Sequence, residues 1–297
     1  MEAGRHTHGK SKKRADMKQG LPEWLRPRYP KGPYLAELSP RLRAWGVETI
    51  CERARCPNLG DCFSRRNATF LILGRACTRN CRYCAVESAR PLPPDPEEPQ
   101  RVAEAAFGLG LRHVVVTSVT RDDLPDGGAG QFAAVVAAVR ARLAEASIET
   151  LVPDFRGRPE SIRRVLKARP EVFAHNLEVV RRLYPPLRPQ GDYDRAILVL
   201  RLAKETGDGC LTKSGLMVGL GEEEEDVIAA LSDLRQVGVD LVTIGQYLCP
   251  SSGHYPVKEY VSPARFRRYE EAARALGFQG VLAGPLVRSS YHAADLL

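Results

Sequence analysis

Short runs of apolar and β-branched residues alternate along the chain with segments whose apolar positions recur every three or four residues. The runs at 69–73, 113–119, 148–154, 172–177, 214–218 and 241–248 predict strands. The segments near 97–109, 130–145, 159–168, 192–206, 222–237 and 263–276 predict helices. In 130–145, Phe132, Val135, Val136, Val139 and Leu143 share one face; in 222–237, Val227, Ile228, Leu231, Leu234 and Val237 do the same. Six β–α units in succession imply a parallel sheet with right-handed crossovers. Periodicity leaves open whether that sheet is doubly wound or forms an open (β/α)6 barrel. In either, chemistry belongs at the carboxyl ends of the strands. Pro91-Leu-Pro-Pro-Asp-Pro96 reads as a stiff linker before the first helix, and Asp126-Gly127-Gly128 as a break after the second strand. Residues 32–66 precede the units and 278–297 follow them, as extensions.

Composition narrows the class. With 297 residues, 43% hydrophobic and 27% charged, the chain has the make-up of a folded soluble domain, not of a disordered or collagen-like one. Its longest apolar run, 132–139, is far short of the roughly 20 residues that a spanning helix needs. The net charge of +8 is concentrated at the start, where residues 1–31 hold nine Lys or Arg against three acids. Such a leader reads as a flexible, solvated tail on a near-neutral body, not as a nucleic-acid-binding domain. It has no apolar segment, so a secretory signal is not expected and a cytoplasmic location is.

Candidate chemistry lies in the cysteines. Six of the eight fall between residues 51 and 84, and in a cytoplasmic chain they are not expected to form disulfides. Cys77, Cys81 and Cys84 are spaced C-x3-C-x2-C directly after the first strand. Three thiolates there suit three irons of a cubane and leave the fourth open to a substrate or cofactor. A structural zinc is the alternative, but zinc wants four ligands, and no His lies between residues 9 and 112. Cys51, Cys56 and Cys62 form a second set, for which buried inert cysteines are the alternative. Cys210 and Cys249 read as isolated free thiols.

The first triplet, set after a strand and followed by β–α units, resembles the radical S-adenosylmethionine superfamily. Gly215-Leu-Met217-Val-Gly219-Leu-Gly-Glu222 resembles that superfamily's G-x-I-x-G-x-x-E stretch, with Met217 in place of Ile. Adding C-x4-C-x5-C at 51–62, Val116-Thr-Ser-Val-Thr-Arg-Asp-Asp123, Glu149-Thr-Leu-Val-Pro-Asp-Phe-Arg-Gly157 and Arg288-Ser-Ser-Tyr-His292, the chain closely resembles the lipoyl synthase family from about residue 20 to its end.

The resemblance implies a partial (β/α)6 TIM-type barrel over 67–277, with an N-terminal extension (32–66) and a C-terminal extension (278–297) carrying an auxiliary cluster. It implies two [4Fe–4S] clusters. Cys77, Cys81 and Cys84 would hold the one that binds S-adenosylmethionine. Cys51, Cys56 and Cys62 would hold the other, with Ser290 as fourth ligand and Ser289 as the fallback. Serine oxygen is a harder, weaker iron ligand than thiolate, which suits a cluster meant to come apart.

The implied reaction inserts two sulfurs at C6 and C8 of a protein-bound N6-octanoyl-lysine. It uses two S-adenosylmethionines per lipoyl group and takes sulfur from the auxiliary cluster. Asn176 and Glu178 are implied ribose contacts. Thr117, Ser118, Asp122 and Asp123 stand where related enzymes hold the methionine amino group, although the usual Gly-Gly-Glu is missing. Gly219 is a cofactor-site position, and Arg288 orients cluster or substrate.

Implied partners are octanoylated lipoyl carrier domains (2-oxoacid dehydrogenase E2 subunits and the glycine cleavage H protein), a ferredoxin or flavodoxin reductant and an iron–sulfur carrier protein. Nucleic acid and membrane are not expected, and a monomer is. The rivals are another radical sulfur-inserting enzyme and a zinc-stabilised binding protein. The 51–56–62 spacing and the Ser290 motif argue against the first; the second predicts no S-adenosylmethionine cleavage and a nucleic-acid affinity that falls steeply with salt.

Overall fold

The computed structural model describes residues 20–26, 33–53, 56, 58–64, 67–291 and 293–296. Most of the basic leader, and His292, lie outside the described residues. In chain order the elements are α1 (Pro33–Ala44), β1 (Glu48–Thr49), α2 (Ile50–Arg53), α3 (Leu59–Ser64), β2 (Thr69–Ile72), β3 (Ala76–Cys77), β4 (Glu87–Ser88) and α4 (Glu98–Gly108). Then follow β5 (His113–Ser118), α5 (Ala129–Arg142), β6 (Ser147–Leu151), α6 (Pro159–Lys167), β7 (Val172–Ala174), α7 (Tyr184–Leu187) and α8 (Tyr193–Thr206). The last are β8 (Leu211–Val218), α9 (Glu224–Gln236), β9 (Leu241–Gln246), α10 (Pro263–Ala275) and β10 (Gly280–Gly284). Among the described residues no helix is long and apolar enough to cross a membrane.

The main sheet runs β1-β2-β5-β6-β7-β8-β9-β10. Every pairing is parallel except β1 with β2. The six expected β–α units are present, and their order is sequential, as short right-handed crossovers dictate. Alternate strand residues, among them Val114, Val116, Ile148, Phe173, Leu216, Val218, Val242 and Ile244, join the helices in two apolar cores. The residues between them point the other way, into the hollow of the curled sheet. The order leaves β1 and β10 as unpaired edges, so the barrel is partial.

The pattern had not predicted β10. Gly-Val-Leu-Ala-Gly is short and rich in small residues, a weak strand signal, yet it pairs with β9 residue for residue. The stretch 278–297 therefore begins as the sheet's last strand and only then leaves as a tail. Strand β8 also starts earlier than expected, at Leu211, because it includes Lys213.

That lysine is fully buried in the hollow, with its Nζ 2.8 and 3.0 Å from the two carboxylate oxygens of Glu149, itself fully buried. Burial by itself would raise the Glu149 carboxyl, but Lys213 and His113 hold it below its ordinary value. Removing one partner strands the other charge in the interior. Lys213→Met is therefore expected to lower unfolding stability by about 3–5 kcal/mol, while Lys213→Met with Glu149→Leu should recover most of the loss. Urea denaturation of the two variants measures this.

Candidate functional site

The first cysteine triplet sits where the strands end. Cys77 closes the short strand β3, which pairs with β4 across the intervening cysteine loop. Backbone ties hold that loop on three sides. Thr78 N–H donates to the Thr120 carbonyl beyond β5, Arg82 N–H to Leu187 on α7, and Tyr255 N–H, after β9, to Arg82. His254 Nε2 lies 3.0 Å from the Cys84 carbonyl, with its Nδ1 2.8 Å from Ser251 Oγ. The carbonyl can only accept, so Nε2 donates to it.

Arg79, inside the loop, is the chief anchor. Its guanidinium is buried and makes paired bonds to Asp122 and to Asp154, at 2.7–2.9 Å. Burial pushes the Asp154 carboxyl up, but Arg79 outweighs it and leaves the group well below the usual range. Asp122 and Asp123, expected near a ligand amino group, both have arginine partners here. Asp122 is held by Arg79 and Arg156, and Asp123 by Arg121. The sequence carried one unused signal for this, an arginine between two candidate ligands.

The second triplet is carried by helical turns before the barrel. Cys51 is on α2 and Cys62 on α3, with Cys56 between them, its N–H donating to the Cys51 carbonyl. All three line one cavity with Ser290, Arg288, Thr69 and His113. Ser290 reaches it because the carboxyl-terminal tail folds back across the hollow. Asn58 donates to the Leu286 carbonyl, Tyr291 donates to Asp61, and Thr69 Oγ1 donates to Ser290 Oγ at 2.8 Å.

Two glycines make room for the tail. A Cβ at Gly245 of β9 would stand 2.0 Å from the Val287 carbonyl oxygen, and one at Gly215 of β8 would stand 2.9 Å from Asn176 Oδ1. Ser289, the fallback ligand, faces away from the cavity. Its hydroxyl donates to Asn176 Oδ1 at 2.7 Å.

The other expected residues separate into groups. Asn176 and Glu178 follow β7 and touch each other, Asn176 Nδ2 donating to Glu178 Oε1 at 3.1 Å. Glu178 adopts a left-handed φ of 68°, a conformation that non-glycine residues hold at a cost and that recurs at functional sites. Burial raises its carboxyl while Arg188 opposes the rise. Thr117 donates to the Leu151 carbonyl of the neighbouring strand, and Ser118 Oγ is buried with no hydrogen-bond partner. Gly219 is part of a turn closed by Glu222, whose carboxylate accepts from the Gly219 and Leu220 amides. A Cβ there would collide with Gln246 and the Glu259 carbonyl. Its visible role is thus the turn itself.

The donor sets suit a soft cluster. Cys51, Cys56, Cys77, Cys81, Cys84, Cys210 and Cys249 are free thiols. Burial pushes Cys51 up to about 11 and Cys84 up to about 12, and raises Cys81 as well. Such thiols stay protonated near neutrality until a thiophilic metal displaces the proton. Among the described residues no three His, Cys, Asp or Glu side chains converge as round a single metal ion, so the fit rests on the sulfur-rich donors and, for the second set, on the cavity it shares.

The chain resembles known proteins in sequence and in fold. The family model described as "Radical SAM superfamily" matches residues 71–234. A lipoyl synthase of Rubrobacter xylanophilus is 51% identical over 278 residues, covering 94% of this chain and 87% of that one. One from Caldanaerobacter subterraneus subsp. tengcongensis is 55% identical over 272 residues, covering 92% and 95%. Among solved structures, HydG, a maturase of the [FeFe]-hydrogenase, superposes with a TM-score of 0.58 at 18% identity, covering 72% of this chain and 51% of that one. Methylornithine synthase (PylB) gives 0.54 at 17%, covering 71% and 63%. At such identities the structural likeness is one of fold.

His175 follows β7, with its Nδ1 2.8 Å from the Val152 carbonyl and its Nε2 buried without a partner. Burial lowers it to about 4. The unfolded chain takes up this proton near pH 6.5, before the folded one does, so stability falls as the pH drops from about 6.5 towards 4, by up to about 3 kcal/mol. Denaturant titrations at pH 7 and pH 4.5 should show this loss, and His175→Asn, which keeps the donor to Val152, should reduce it.

Proposed function

The chain belongs to the lipoyl synthase family of radical S-adenosylmethionine enzymes, and from that premise we propose that it inserts sulfur at C6 and C8 of an octanoyl-lysine on a lipoyl carrier domain. It is a sulfurtransferase that uses S-adenosylmethionine and a [4Fe–4S] cluster. Two further points belong to the proposal: a second cluster serves as the sulfur donor, and two S-adenosylmethionines are used per lipoyl group. The observation that carries the reading is the cavity shared by Cys51, Cys56, Cys62 and Ser290, a second donor set separate from the Cys77–Cys84 loop.

Cys77, Cys81 and Cys84 hold the first cluster. When bound with S-adenosylmethionine and given one electron, it supplies a 5′-deoxyadenosyl radical able to take hydrogen from an unactivated carbon. The chain's own work is placement. Arg79, locked between Asp122 and Asp154, keeps the loop at the strand ends. Asn176 and Glu178 offer polar groups to the ribose hydroxyls, and the unpartnered Ser118 Oγ offers one to the amino-acid moiety. Gly219, in its tight turn, lets the backbone pass close to the cofactor. Arg288 lines the second cavity in the field of Cys56 and orients the sulfur donor or the acyl chain. The hollow of the half-barrel excludes water from the reacting carbons.

The proposed partners are E2 and H-protein carrier domains, a ferredoxin or flavodoxin, and an iron–sulfur carrier. The test is anaerobic. The protein is reconstituted with iron and sulfide and given dithionite, S-adenosylmethionine and an octanoyl-lysine peptide. The peptide should gain two sulfurs while 5′-deoxyadenosine and methionine are released. Cys56→Ala should still form 5′-deoxyadenosine and transfer no sulfur. Deoxyadenosine from the wild type with an unaltered peptide would overturn the proposed substrate. Sulfur transfer by Cys56→Ala would overturn the proposed donor.

A further inference from the structure

We propose that the hydrogen bond between Ser289 and Asn176 is a latch that sets how far Ser290 reaches into the second cavity, which makes Asn176 a positioning residue for that donor set. The inference rests on the reading of Ser290 as a cluster donor.

Three observations carry it. The two neighbouring serines are pulled in opposite directions. Ser289 donates to Asn176 Oδ1 at 2.7 Å, and Ser290 accepts from Thr69 Oγ1 at 2.8 Å. Their Cα atoms are bound to be about 3.8 Å apart, so a movement of one is passed to the other. Asn176 is itself held, since its Nδ2 donates to Glu178 and Arg188 Nη1 donates to the Leu177 carbonyl beside it. Finally, the seat is close-fitting. The hydrogen in place of a side chain at Gly215 lets Asn176 Oδ1 stand where it meets Ser289, and Gly245 lets Val287 lie against β9.

Asn176 also stands at the edge of the first site, where Glu178 and Arg188 act on Cys81. One amide therefore touches the surroundings of both cysteine sets. The latch places the serine donor from the side of the first site, while Thr69 receives it on the other.

The test uses the full chain with Cys77, Cys81 and Cys84 all replaced by Ala, so that only the second set takes up iron and sulfide. Two readouts are taken: the electron paramagnetic resonance spectrum after dithionite, and the rate at which a ferrous chelator removes iron. Ser290→Ala is the reference and should change both. Ser289→Ala and Asn176→Ala should each speed iron loss about fivefold, the effect of one lost hydrogen bond, and move the spectrum towards that of Ser290→Ala. Gly215→Ala, which removes no polar group, should do the same by displacing Asn176 Oδ1. Ser289→Thr keeps the hydroxyl and should behave as the parent. If Ser290→Ala changes both readouts while Ser289→Ala and Gly215→Ala change neither, the latch is overturned and the donor reading stands. If Ser290→Ala is itself silent, the donor reading fails and takes the latch with it. Melting curves screen for folding; should Asn176→Ala not fold, Ser289→Ala, in the half-buried tail, decides the question.

Discussion

The hydrogen bond from Thr69 to Ser290 joins residues 221 positions apart, and it holds the serine in the cavity lined by Cys51, Cys56 and Cys62. Cys51, Cys56 and Cys62 precede the barrel, whereas Ser290 follows its last strand. An open sheet makes the contact possible. In a closed barrel the hollow would be filled with side chains from all strands. Here β1 and β10 are edges, and the tail passes Gly245 and the Asn176 seat at Gly215 to reach the start of β2. Asn58 and Asp61 fix it from the other side. Without this path Ser290 would not share a cavity with the three cysteines.

The first donor set depends on a different principle. Its cysteines are close in sequence, and what has to be solved is the placement of a short loop against a sheet. Charge does this. Arg79 is shared by Asp122 and Asp154, and Arg195 adds a further bond to Asp154. The carboxylates come from segments after β5 and β6, so the loop is fastened to two strand ends at once. Paired, buried guanidinium–carboxylate contacts have defined geometry, which flexible loop packing does not.

The interior of the half-barrel is polar in places where an apolar core would be simpler. Lys213 and Glu149 are fully buried, with His113 3.7 Å from Glu149 and on the wall of the second cavity. A buried ion pair contributes little net stability compared with apolar residues of the same size. Its retention beside the cavity agrees with a fixed charge arrangement near the place where a cluster would bind.

Much of this was legible in the chain itself. Alternating strand and helix periods, set by backbone geometry, predicted the six β–α units, and C-x3-C-x2-C marked the first candidate site because its cysteines are close in the chain. The sequence resemblance also pointed to Ser290. Its neighbour Ser289 was equally plausible by residue type, and only the fold turned one hydroxyl towards the cavity and the other to Asn176. The pattern starts strand β8 after Lys213, since a lysine is a poor core residue until Glu149, 64 positions away, is beside it. Strand β10 was missed because glycine and alanine carry almost no periodic signal, yet they are needed where the tail must pass close to the sheet. Local pattern determines elements and ligand spacing, because these depend on neighbours in the chain. Which donor faces which cavity, and which charge is allowed inside, depends on contacts between distant residues, and those are decided only when the chain has folded.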